Sequence, residues 1–251
     1  MPDRRSHRGQ HPEDAAAFAP AARPALRRAA GDLCWLLDRG YAIPSSLKLV
    51  GDRFGLTQRQ RIAVNRCACS GKQLERRLAT RVEPATLANS YVLIDGYNLL
   101  TTIEAALAGG IVLAGRDGCY RDMASMHGSY RKVAETLPAI RLIGEVLAEV
   151  RPRECRWLLD RPVSNSGRLK TLLRESAVEA GWNWAIDLVA DPDALLASAA
   201  DPIVVTADSG ILDRCGAWLN LARLAIDARI PDAVVVDLAP DPPGTRHSAG
   251  E

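Results

Sequence analysis

From residue 90 onward, short apolar runs alternate with longer stretches whose apolar positions recur every three or four residues. Tyr91-Val-Leu-Ile-Asp95, Arg156-Trp-Leu-Leu-Asp160, Ile203-Val-Val-Thr-Ala-Asp208 and Ala233-Val-Val-Val-Asp237 have strand length and end on an acid. The first three run straight into turn chemistry, at Gly96, Arg161-Pro162 and Ser209-Gly210. Between them the spacing predicts helices. One runs from Asn98 to Ala108 and stops at Gly109-Gly110. A second opens at Pro138 and turns Ile140, Ile143, Val146, Leu147 and Val150 inward. A third follows the capping sequence Ser164-Asn165-Ser166, with Leu169, Leu172, Leu173 and Ala177 on one face. Ile111–Ala114 and Cys119-Tyr120 flank Asp117-Gly118, the signature of a hairpin. Strands alternating with helices predict an α/β domain with a mostly parallel sheet over residues 89–239.

The front of the chain has a different period. Residues 23–88 read as helix throughout: Leu26, Ala29, Ala30, Leu33 and Leu37 lie on one face, and Arg39-Gly40 ends that helix. Pro44-Ser45-Ser46 opens another, and Thr57 with Gln60 forms a capping box for a third. A fourth, basic piece after Gly71 carries Lys72, Arg76, Arg77 and Arg81. The join Phe54-Gly55-Leu56-Thr57 resembles a helix-turn-helix, whose second helix would present Arg59, Arg61 and Arg66. Residues 1–22 and 240–251 are polar or Ala/Pro-rich and are expected to be disordered tails.

Charge sharpens this division. The total of +2 hides 16 Lys and Arg against 8 Asp and Glu in residues 1–90, and 16 against 22 in the remainder. A basic front suits phosphate-backbone contact, and an acidic back suits a different task. At 47% hydrophobic and 25% charged, the 251 residues are of ordinary globular composition. No apolar run reaches membrane-spanning length and no signal-peptide core precedes the helices, so a cytoplasmic protein without membrane contact is expected. The six cysteines contain no C-x-x-C pair, and Cys67-Ala-Cys69 lacks the partner pair of a zinc site. No Walker loop, dinucleotide fingerprint or nucleophile elbow occurs. His127 is isolated, and Trp182 and Trp184 read first as core.

In an open parallel sheet the carboxyl ends of the strands share one edge, where ligands bind. Asp95, Asp160 and Asp208 would meet there. A lone Asp after a strand is usually a cap or turn residue, but three after buried strands are harder to explain that way. Crowded carboxylates repel unless a cation joins them, and oxygen ligands favour Mg²⁺ or Mn²⁺. Asp237, with a polar tail behind it, reads as surface.

Leu93-Ile-Asp-Gly-Tyr-Asn98 and the later Thr206-Ala-Asp208 resemble the PIN-like nuclease superfamily, including its NYN branch. Leu159-Asp-Arg-Pro-Val-Ser-Asn-Ser166 is similar to that superfamily's middle acidic strand end. The whole chain, helical front included, resembles an uncharacterised prokaryotic family of unknown function with a PIN-like carboxyl-terminal part. The resemblance implies a three-layer α/β sandwich behind a small all-α domain. It also implies Mg²⁺- or Mn²⁺-dependent hydrolysis of RNA phosphodiesters, with Asp95, Asp160 and Asp208 as metal ligands. For the further acid such sites carry, Asp122 is the first candidate, ahead of Asp213 and Glu104. Asn98, Arg121, Ser164, Ser166, Arg168 and Lys170 would contact the nucleic acid, with Arg59, Arg61 and Arg66 from the front. RNA, tRNA or other structured RNA included, is the expected partner. The alternative is a non-catalytic nucleic-acid-binding protein on a degraded nuclease fold. A phosphatase on the same acidic edge is a third reading, and the absence of D-x-D at Asp95 counts against it.

Overall fold

The computed structural model describes residues 7–123 and 130–240. A short helix α1 (Asp14–Ala17) precedes α2 (Arg23–Asp38), α3 (Ile43–Arg53), α4 (Gln58–Cys67) and α5 (Gly71–Thr80). The capping box at Thr57 forms in full: the Gln60 amide donates to Thr57 Oγ1 at 3.2 Å, and the Thr57 amide donates to Gln60 Oε1 at 3.0 Å. A second box, Ser70 with Gln73, starts α5 in the same way.

Residues 7–22, expected to be disordered, are part of the fold. Ala17 and Phe18 are buried in the helical core, and Asp14, 1% exposed, receives the Arg59 guanidinium. That segment is polar along the chain because its acid answers a base on α4, a pairing no local pattern reveals.

The second part begins with β1 (Tyr91–Asp95) and α6 (Gly96–Leu107). A hairpin, β2 (Val112–Ala114) and β3 (Tyr120–Asp122), follows, then α7 (Thr136–Val150). Next come β4 (Glu154–Asp160), α8 (Ser166–Ala180), β5 (Trp184–Val189) and α9 (Pro192–Ala197). The chain closes with β6 (Ile203–Val205), α10 (Ser209–Leu212), β7 (Trp218–Leu219), α11 (Leu221–Arg229) and β8 (Val235–Asp237). Five strands form one parallel sheet in the order β5-β4-β1-β6-β7. β2 and β3 form the expected antiparallel hairpin, and β8 joins β2 in parallel to make a second, three-stranded sheet.

Alternation along the central strands fills both faces of the large sheet. Val92, Ile94, Trp157, Leu159 and Val205 pack under α6, α7, α8 and α11, whereas Leu93, Leu158 and Val204 face the cluster of Leu196, Ile211 and Leu212 from α9 and α10. A helical layer on each face is the arrangement that buries a parallel sheet completely. The helical front is not a separate body. Leu26, Leu33, Val50 and Val64 share one core with Ile111, Leu113, Val236 and Leu238 of the small sheet. Among the described residues no helix is long and apolar enough to cross a membrane.

Candidate functional site

The chain runs outward from β1 to β4 and β5, then returns to the other side of β1 for β6 and β7. The carboxyl ends of β1 and β6 therefore flank the point where the winding reverses, the place where open α/β sheets bind ligands. Asp95 closes β1. Its side chain does not cap α6, which begins at Gly96. A Cβ on Gly96 would sit 2.9 Å from the Leu158 carbonyl oxygen, so only glycine lets the chain leave β1 this close to β4.

Hydrogen bonds fasten the β1 and β6 ends to each other. Thr206 Oγ1 donates to Asp95 Oδ2 at 2.8 Å and accepts from the Asp208 amide at 3.0 Å. Asn98 Oδ1 accepts from the Ala207 amide at 3.0 Å. Asp208 caps α10, its Oδ1 accepting from the Gly210 amide at 2.8 Å and the Ile211 amide at 3.1 Å. Asn98, read from the sequence as a nucleic-acid contact, thus has its carbonyl oxygen engaged in building the site.

Asp95 is the most perturbed acid of this edge. Its pKa is raised from 3.8 to about 7, chiefly by burial, with the Thr206 hydrogen bond opposing and the charges of Asp208 and Asp193 contributing to the rise. Asp193, at the start of α9, is raised by desolvation and then by Asp208, Asp160 and Asp191. Asp160 is raised by desolvation and then by Asp191. Five carboxylates from the ends of β1, β4, β5 and β6 thus share one rim.

They do not close into a cage. Among the described residues, no three His, Cys, Asp or Glu side chains are grouped so as to hold a metal ion. Register explains why Asp160 stands apart. Asp95 lies opposite Leu158, so Asp160 is two strand steps farther along, about 6–7 Å beyond it. Beside Asp160 lies Tyr97, whose hydroxyl is buried with no hydrogen-bond partner among the described residues and is pushed up to about 12 by burial and then by the Asp160 charge.

Asp191 and Asp193 are the acids that sequence reasoning passed over. The signal was present: Leu188-Val-Ala-Asp191-Pro192-Asp193 is another apolar run into an acid and a turn. Asp191 caps α9 by accepting from the Ala194 amide at 2.9 Å. Asp193 faces the other acids of the rim.

Asp122, the first candidate for the further acid, belongs to the small sheet and not to a strand end of the large one. It sits on β3 in the small sheet, 6% exposed, accepting from Thr101 at 3.1 Å and Thr102 at 2.9 Å with Arg66 beside it. Its task there is to pin α6 to the hairpin. Asp213 receives Gln73 at 2.6 Å and Arg77 at 2.8 Å. Glu104 is fully buried and accepts from Arg8, Tyr130 and Thr136.

Several expected contacts with nucleic acid also turn inward. Arg121, 7% exposed, forms a fork with Asp117 at 2.9 and 2.6 Å and donates to the Ala207 carbonyl at 2.7 Å. Burial pushes the Asp117 carboxyl up, yet Arg121 and Arg77 outweigh that and hold it well below its usual range. Arg59 is engaged by Asp14, and Arg61 by Asp52 at 2.8 Å and by the Leu56 carbonyl at 3.1 Å. Arg66 donates to the Asp122 carbonyl. Arg76 donates to the Arg214 and Cys215 carbonyls, and Arg77 is 1% exposed.

On the β4 side, Ser164 is exposed, whereas Ser166 is buried with its Oγ 3.4 Å from the Arg161 carbonyl. Arg168 is exposed and Lys170 half-buried at the start of α8. Asp237 is exposed at the end of the small sheet. His127 lies outside the described residues, as do the tail segments 1–6 and 241–251. All six cysteines are free and buried. One surface cavity opens at the opposite rim, where β4 and β5 begin, and is lined by Gly144, Arg151, Cys155, Trp182 and Trp184 without any acid. Trp182 and Trp184 stack at 4.7 Å and continue onto Trp157, so their packing role holds.

The molecule is thus a mixed α/β protein with a five-stranded parallel sheet, an acidic carboxyl edge and a helical front built into its second sheet. Its sequence belongs to the family described as a domain of unknown function (DUF5616), whose model matches residues 84–224. Residues 25–79 match the model of another family, described as a protein of unknown function (DUF434). An uncharacterised protein of Methanocaldococcus jannaschii, MJ0935, is 27% identical over 150 residues, covering 60% of this chain and 72% of the relative. No solved structure matches.

Proposed function

We propose that the chain is a metal-dependent phosphodiesterase acting on RNA, with residues 89–239 as a PIN-like domain. The observation that carries this reading is Asp95: a buried carboxyl at the reversal point of the sheet, raised to about 7 by burial and then by the charges of Asp208 and Asp193. Such a group is left wanting a positive partner. Among the described residues, a closed three-carboxylate cage does not fit. A hydrated Mg²⁺ or Mn²⁺ does, because these ions keep several waters and take one or two carboxylates together with substrate phosphate. Asp95 and Asp208 would hold it; when bound, it would supply an activated water and neutralise charge on the phosphate.

The remaining work falls to the chain itself. Thr206 and Asn98 tie the β1 and β6 ends together, which would hold the two carboxylates at a fixed separation. Asp193 would complete the rim in place of Asp122. Arg168 and Lys170 would hold the RNA backbone on the β4 side by charge alone. The test compares wild type with Asp95→Asn on single-stranded RNA, with Mn²⁺ and with EDTA. Cleavage by wild type with Mn²⁺ only, abolished in Asp95→Asn, is the expected result; equal cleavage by both proteins refutes it. The open rim also favours one specific second reading, a non-catalytic RNA-binding protein. RNA binding by wild type without any cleavage would select that reading.

A further inference from the structure

With Arg59, Arg61, Arg66 and Arg77 turned inward, any surface by which the helical front meets RNA lies elsewhere. Large apolar side chains emerge together at the corner where α2 gives way to α3: Trp35 is 53% exposed, Tyr41 58% and Ile43 47%. Gly40, at φ 78°, reverses the chain there, and the Tyr41 amide donates to the Leu36 carbonyl at 3.2 Å. Trp35 and Tyr41 therefore stand on the two arms of one tight turn.

Cations accompany the rings. The Arg39 guanidinium lies 3.5 Å from the centre of the Trp35 ring and donates to the Trp35 carbonyl at 3.2 Å. A helix carboxyl end favours a cation, which accounts for Arg39. It does not account for a tryptophan left half in water on the same turn. Arg28 is exposed seven positions before Trp35, a spacing that sets it on the same stripe of α2 as Trp35 and Arg39. Among the described residues no acid pairs with Arg28 or Arg39. Arg53, exposed at the end of α3, reaches Asp32 on α2 at 3.3 Å and lies over Phe54.

We propose that this corner docks single-stranded RNA, a base stacking on Trp35 or on the Arg39 plane and neighbouring phosphates meeting Arg39 and Arg28. The proposal rests on the RNA reading above but does not require cleavage. Two features select RNA over a protein partner. Asp32, the acid on this stripe, is paired with Arg53 rather than with Arg28 or Arg39, and these cations sit in a half of the chain with twice as many basic as acidic residues. Aromatic rings and guanidinium planes are also what unstacked bases stack upon, and stacking tolerates any sequence.

The experiment measures binding of the full chain to a fluorescein-labelled oligouridylate, with EDTA present throughout so that binding is read apart from hydrolysis. Trp35→Ala should weaken binding by on the order of tenfold or more, and Trp35→Phe should restore most of it. Arg39→Ala should weaken binding and flatten the slope of log affinity against log salt by about 0.7, one phosphate contact on a single strand. Tyr91→Ala removes another exposed aromatic, one that lies under Arg153, and should leave affinity unchanged. Wild-type affinity in both Trp35→Ala and Arg39→Ala overturns the proposal. So does a dimer, seen by sedimentation, that Trp35→Ala dissolves, since the face would then belong to a second copy. Binding lost in Trp35→Ala while the wild type never cleaves would sink the phosphodiesterase and leave this surface standing. A wild type that binds no RNA removes both.

Discussion

Asp95→Asn should make the protein more stable at neutral and alkaline pH, although it strikes the centre of the proposed site. The native carboxyl has its pKa at about 7, against 3.8 as an ordinary group. Between those values the native state keeps its proton and the unfolded chain does not, so stability falls as pH rises from about 4 to about 7. Each tenfold change in proton affinity is worth about 1.4 kcal/mol, which sets a ceiling of about 4 kcal/mol lost by pH 8. Asparagine keeps the shape, stays neutral and still offers an oxygen to the Thr206 hydroxyl. The variant should therefore match wild type near pH 4 and exceed it at pH 8, by a melting shift on the order of 5–15 °C for a chain of this size. Asp160 and Asp193 are shifted in the same direction but titrate in both proteins, so the difference between the two curves isolates Asp95. The assay is thermal denaturation of both proteins from pH 4.5 to 8.5 with EDTA, repeated with Mn²⁺. Added Mn²⁺ should raise wild-type stability at pH 7.5 by about 1.4 kcal/mol at ten times its dissociation constant, and leave Asp95→Asn unmoved. Parallel curves across the pH range, or a variant less stable at pH 8, would refute the claim that Asp95 is held in strain.

Three further substitutions test other parts of the structure. Arg77→Met removes a buried cation that holds both Asp117 and Asp213, and should cost roughly 3–5 kcal/mol in urea denaturation while RNA affinity of the folded protein is unchanged. A fall in RNA affinity without loss of stability would return Arg77 to the docking surface. Tyr97→Phe deletes a buried hydroxyl that has no partner among the described residues, and should be neutral or stabilising by about 1 kcal/mol; clear destabilisation would mean that the hydroxyl is satisfied after all. Gly96→Ala drives a Cβ toward the Leu158 carbonyl, backbone that cannot step aside, and should cost about 1–3 kcal/mol, read as a lower melting temperature.

The strands that carry Asp95, Asp160 and Asp208 were legible because both faces of a central parallel strand are buried, so each reads as an unbroken apolar run. β5 is harder to read because it lies at the edge of the sheet. Trp184 and Ala185 are only half-buried there, and Asp187 interrupts the run opposite Leu158. Only Leu188-Val-Ala190 is left as an apolar run before Asp191 and Asp193, too short to mark a strand end along the chain. The arginines misled for a different reason. Arg59 pairs with Asp14, Arg66 with Asp122 and Arg77 with Asp117, partners 45, 56 and 40 positions away. A helix of arginines with remote acids looks the same along the chain as a helix of arginines awaiting phosphate. Asp117 shows this most sharply: in Asp-Gly it reads as turn chemistry, and it does form the turn, yet it is also the buried anion that joins α5 to β3.

That buried anion changes what the helical front is for. Arg121, held by Asp117, donates to the Ala207 carbonyl, and Arg77, held by Asp117 and Asp213, reaches the Ser209 carbonyl at 3.3 Å. These two carbonyls bracket Asp208. The loop that presents Asp208 is thus clamped from behind by two cations, one from α5 and one from the hairpin, while Thr206 and Asn98 clamp the β6 end from the β1 side. Leu113 and Val236 of the small sheet are buried only with the help of α2 to α4, so the hairpin that carries Arg121 depends on the front as well. Residues that look from the sequence like a basic docking module joined to an acidic domain therefore serve two ends. Their inner face braces the carboxylate edge, and their outer corner, around Trp35 and Arg39, is the part proposed to meet RNA.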